Sequence, residues 1–143
     1  MKPSPCILAA ILLLLAPGLI SAADQRHVRI RIGLSLPNAP DLSVVLSPSE
    51  VVVQPGDLFE VSLSIKNTSK QPVNARIDHL IEPLEVANYV DIVECGFLVP
   101  VTLHPEQEQE YSGRYLLREK IPETVNQLSL TFDFKLRRVI WVK

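Results

Sequence analysis

The chain is short of the residue types on which most catalytic and cofactor sites are built. Five glycines in 143 residues leave little from which to make a phosphate-cradling loop. There is no nucleophile elbow and no pair of histidines at helical spacing. The chain is therefore expected to be non-enzymatic. The single methionine is Met1, and there are two cysteines and three histidines. Cys6 lies in the apolar N-terminal stretch, so a domain that follows it holds Cys95 alone and cannot form an internal disulfide. Charge is balanced at −2, with both signs interspersed. No basic stripe exists, which argues against nucleic acid as a partner.

Two things are present in quantity: apolar residues at the start and prolines throughout. Lys2 gives a positive start, and Cys6 to Ile20 is almost wholly apolar, broken by Pro17-Gly18. Ser21 and Ala23 then offer small residues before Asp24. This is the order of a secretory signal peptide, and residues 1–23 are read as a signal peptide or a retained membrane anchor. Residues 24–143 are read as one exported domain. Twelve prolines and the scarcity of helical periodicity favour an all-β domain.

Alternation supports this. Val28, Ile30, Ile32 and Leu34 share one face, with Arg29 and Arg31 opposite. Phe59 to Ile65, Val73 to Ile77, Tyr111 to Leu117 and Leu128 to Leu136 repeat the pattern, and His79 continues the inward phase of Val73 to Ile77. Val44-Val45-Leu46 and Val51-Val52-Val53 add two short strands. Turn signals separate them at Pro37 to Pro40, Pro48-Ser49, Pro55-Gly56-Asp57, His104-Pro105-Glu106 and Ile121-Pro122-Glu123. About seven or eight short strands at such spacing imply an immunoglobulin-like β-sandwich. The tail Val139-Ile140-Trp141-Val142 extends the last strand and carries the only tryptophan.

The chemistry concentrates at Val90 to Leu98, around Cys95. A lone thiol in an exported β domain is either a small buried hydrophobe or a metal ligand. Thiolate suits Cu(I), and imidazole also binds copper, so His27, His79 and His104 are candidate companions. One thiol cannot supply two thiolates, but a two-fold dimer could bring two copies of Cys95 together. Glu106, Glu108 and Glu110 read as a solvated charge run. The sequon at Asn67 would matter only in a eukaryotic secretory pathway.

Several segments, taken in order, resemble the CtaG-type cytochrome c oxidase copper-assembly proteins. They are Val28-Arg29-Ile30, Leu36 to Pro48, Val51-Val52-Val53-Gln54-Pro55-Gly56-Asp57, Lys66 to Val73, Pro83 to Tyr89, Leu103-His104-Pro105-Glu106 and Leu128 to Phe132. The resemblance implies a membrane-tethered, immunoglobulin-like domain facing the periplasm, anchored in or secreted across the inner membrane. It also implies delivery of copper to subunit I of the oxidase. The family's copper motif is Cys-Phe-Cys-Phe, and the matching segment here is Cys95-Gly96-Phe97-Leu98. Only Cys95 carries over as a ligand for Cu(I); Phe97 stands where the second cysteine would be. The alternative is an exported β-sandwich interaction module that has lost copper binding, using strand edges and the Trp141 tail to meet a protein partner or the inner-membrane surface.

Overall fold

In the computed structural model, residues 25–37 and 39–138 are described. The segment read as a signal or anchor, and the Val139 to Lys143 tail, lie outside them. Among the described residues no helix is long and apolar enough to cross a membrane.

The domain is an all-β sandwich. Its strands are β1 (Val28–Ser35), β2 (Leu42–Ser47), β3 (Glu50–Val53), β4 (Leu58–Asn67), β5 (Val73–Glu82), β6 (Val90–Cys95), β7 (Val101–Leu103), β8 (Glu108–Leu117) and β9 (Gln127–Arg138). A 3-10 helix, η1, spans Leu84–Tyr89. The first sheet runs β3-β1-β9-β5-β7 and the second β2-β4-β8-β6. All pairings are antiparallel except β1 with β9.

The core follows the alternation. Val28, Ile30 and Ile32 from β1 and Leu128, Leu130, Phe132 and Phe134 from β9 are buried from one sheet. Phe59, Val61, Leu63 and Ile65 from β4 and Tyr115 and Leu117 from β8 meet them from the other. Each such side chain contributes about 1.5–3 kcal/mol, which offsets the ordering of strands too short to persist alone. The strand count is nine among the described residues, against the expected seven or eight. Beyond the seven runs read from alternation stand β6, which a bulge interrupts, and β7, three residues squeezed between Pro100 and the turn at His104. Such a run is too short for alternation to register.

Two local features fix the frame. Gly56 has φ 95° at the third position of the Gln54–Asp57 turn, where a side chain would be strained. The turn is closed by Asp57 N–H donating to Gln54 O at 3.0 Å. Asn67 is the one buried polar residue among those described. Its amide donates to Gln71 O (2.8 Å) and Leu103 O (3.0 Å) and accepts from Ser69 N–H (2.9 Å) and Ser69 Oγ (2.8 Å). An amide so enclosed is a structural pin and offers nothing to a glycan.

Candidate functional site

Cys95 ends β6, the edge strand of the second sheet. Simple alternation from Val90 and Ile92 would turn Cys95 outward. A β-bulge between Ile92 and Glu94 corrects the phase. Ile92 stands opposite Tyr115 and Cys95 opposite Gly113, so both sit on the core-facing side of the ladder although an odd number of bonds separates them. The thiol ends half-buried and free.

His79 approaches from the other sheet. It lies on β5, opposite Phe132 on β9. β7 covers β5 only over Val73–Ala75, so the outer side of β5 around His79 has no strand partner among the described residues. The sandwich is therefore open where β5 and β6 face each other, and there the two side chains meet. Cys95 Sγ is 3.8 Å from His79 Nε2.

Three aromatic rings hold the imidazole. Phe97, fully buried, stacks on it with centroids 5.5 Å apart and planes inclined by 10°. Phe132 meets it edge-on at 5.3 Å, and Tyr115 is tilted at 5.7 Å. The Tyr115 hydroxyl shares a 2.9 Å hydrogen bond with His79 Nε2. That ring needs room, and Gly113 provides it: a Cβ at position 113 would lie 2.6 Å from the Tyr115 hydroxyl oxygen.

Burial sets the protonation states. It pushes the Cys95 thiol above its ordinary range, with hydrogen bonds from Phe97 N–H, the Tyr115 hydroxyl and the Leu98 backbone pulling partly back. It lowers the His79 pKa, against the pull of the Asp78 carboxylate. It drives the Tyr115 phenol far up, so the hydroxyl keeps its proton. The resting cluster is thus a neutral thiol, a neutral imidazole and a phenol. A soft cation could displace the thiol proton and take both sulfur and nitrogen.

Of the residues singled out in the sequence, only His79 is brought to Cys95. His27 is exposed just ahead of β1, and His104 is exposed in the turn between β7 and β8. Glu106, Glu108 and Glu110 do not converge. Glu106 faces Lys66 at 3.7 Å, Glu108 takes a hydrogen bond from Ser64, and all three are exposed. Among the described residues no three histidine, cysteine or carboxylate side chains gather as a metal cage. Sequence reasoning missed Tyr115 as a partner of the site. Its inward phase was readable, and Gly113 two residues earlier was the available signal.

The chain as a whole matches one known family. The family model described as cytochrome c oxidase assembly protein CtaG/Cox11 matches residues 16–135. No curated protein matches the chain. The match spans most of the sequence and all but the last residues of β9, and the chain belongs to the CtaG/Cox11 family of cytochrome c oxidase assembly proteins.

Proposed function

We propose that this protein is a non-enzymatic assembly factor that carries Cu(I) on Cys95 and hands it to subunit I of cytochrome c oxidase on the periplasmic side of the inner membrane. Family membership supports the assembly role. The observation that carries the copper reading is the placement of Cys95. It is a free, half-buried thiol whose sulfur lies 3.8 Å from His79 Nε2, a second copper donor, at the open edge between β5 and β6.

Thiolate binds Cu(I) tightly, yet a site of few ligands lets an acceptor thiolate or imidazole enter before the donor leaves. Copper stays Cu(I) throughout such an exchange, so no electron donor is required. The thiol gives up its proton when the cation binds. A second copy of the chain, adding its own Cys95 across a two-fold axis, is one source of further coordination. The apolar side chains exposed near the site, Ile92, Val93, Leu98 and Val99, suit docking against a hydrophobic partner surface close to the membrane.

The test is anaerobic Cu(I) titration of the reduced full-length chain against a competing chelator, beside Cys95→Ser, with oxidase activity of cells carrying each form. Cys95-dependent binding together with loss of oxidase activity in Cys95→Ser is the expected result. Equal copper uptake by both forms, with oxidase activity unchanged, would reject the proposal.

A further inference from the structure

Cys95 alone leaves a bound Cu(I) short of ligands, and Phe97 occupies the place of a second thiol. That ring is buried and offers no donor to a metal, but it stacks flat on His79. The imidazole is thereby held against the thiol from the opposite sheet. We infer that His79 supplies the second protein donor, so that Cys95 Sγ and His79 Nε2 form a sulfur–nitrogen site for a soft monovalent cation within a single chain.

The inference rests on the copper reading above and names the donor set. The two atoms are 3.8 Å apart. Typical metal–nitrogen and metal–sulfur bonds of about 2.0 and 2.3 Å sum to about 4.3 Å. One cation can therefore bridge the pair without moving either strand, sitting off the line between them. On the His79 side of the pair, a cavity of about 370 Å³ lined also by Arg76, Ile77, Asp78, Leu98 and Pro100 offers an approach for an incoming ligand.

The identity of the cation follows from the donors. Zinc in protein sites takes three or four protein ligands, and among the described residues none gather beside this pair. A soft monovalent ion is satisfied by fewer. Imidazole nitrogen is a donor that copper accepts beside thiolate. The Tyr115 hydroxyl is hydrogen-bonded to Nε2 at 2.9 Å in the metal-free protein. On loading, its one O–H proton turns from Nε2 toward the Cys95 sulfur beside it while the buried ring stays in place. Tyr115 is a positioning residue in this scheme: it holds the nitrogen in place when empty and supports the sulfur when full.

The experiment uses Cu(I) alone on the reduced full-length chain. Native mass spectrometry gives copper per chain, and copper-edge X-ray absorption counts sulfur and nitrogen neighbours. We expect one copper per monomer, a shell containing both one sulfur and one nitrogen, and weakening by at least about tenfold in His79→Gln. That figure is the loss typical of an outer partner of a metal site and so a floor for a ligand. If His79→Gln does not fold, the absorption spectrum of the unaltered protein decides. A sulfur-only shell with one copper per two chains overturns the His79 inference and leaves Cys95 as the copper ligand. Absence of Cys95-dependent copper overturns both.

Discussion

Asn67 and His79 are both polar side chains facing the interior of the same sandwich, each near the end of a strand, and they are used in opposite ways. Asn67 is fully enclosed, and three of its four amide hydrogen bonds go to backbone groups of Ser69, Gln71 and Leu103. Backbone partners cannot leave without unfolding the strand that carries them, so that cluster can only hold the fold. His79 is half-buried, and its partners are a hydroxyl and a thiol on side chains of the other sheet. Side-chain partners can rotate, exchange or lose a proton while both sheets stay in place. The fold thus separates a fixed polar cluster from an exchangeable one, and only the second lies where the sandwich is open.

The sharpest way to break this contrast is Asn67→Ala. It removes four hydrogen bonds and leaves Leu103 O and neighbouring groups buried without partners, at a cost of about 1–3 kcal/mol for each such group. Denaturant titration should show a loss of about 3 kcal/mol. Cu(I) affinity of the folded fraction should not change. A coupled loss of copper would mean the two clusters are one unit.

Gly113→Ala should act in the other cluster and less strongly. Its Cβ would lie 2.6 Å from the Tyr115 hydroxyl oxygen and 2.9 Å from a ring carbon. Tyr115 is fully buried and stacked on Phe59 at 5.3 Å, so it has nowhere to retreat. Overpacking of this kind costs about 1–3 kcal/mol, and the displaced hydroxyl should leave His79 Nε2. Gly33→Ala is the matched control. The nearest atom there is Thr131 Oγ1 at 3.6 Å, an ordinary contact, and the change should be close to neutral.

Much of the fold was legible because alternation reports burial directly. Val28 to Ile32, Phe59 to Ile65 and Leu128 to Phe134 face inward as their spacing implies. Phe134 and Leu136 even continue the pairing with β5 at Ile77 and Ala75. The site was legible only in its parts. Cys95 and His79 could each be picked out by type, and the inward phase of His79 follows from Val73, Ala75 and Ile77. Their meeting depends on two things that a linear pattern does not carry. One is the bulge at Ile92–Glu94, which reverses the phase of β6 just before the thiol. The other is the facing of β5 and β6 across the two sheets, a consequence of strand order rather than of any local run. Phe97 was visible as an absent thiol, but its stacking on His79 was not, because that contact joins the turn after β6 to a strand of the other sheet.

The smallest expected effect separates the clusters by acid. Burial holds the His79 pKa below its ordinary 6.5, outweighing the Asp78 carboxylate, whose own charge is shared with Lys135 and Arg76. In the unfolded chain the same imidazole takes its proton near pH 6.5. As pH falls through that value the unfolded state binds a proton that the folded state refuses, so folding stability declines. The contribution is intact above about pH 6.5 and is lost progressively below it, until the folded imidazole also protonates. Urea midpoints at pH 7.5 and 5.5 measure this before most carboxylates titrate. His79→Gln should flatten the dependence, whereas Asn67→Ala, which removes no ionisable group, should lower both midpoints and keep the slope. An unchanged slope in His79→Gln would mean that the imidazole charges freely in the folded protein. The polar cluster at the open edge would then be hydrated enough to make its nitrogen an ordinary surface ligand, and the contrast with Asn67 would rest on burial alone.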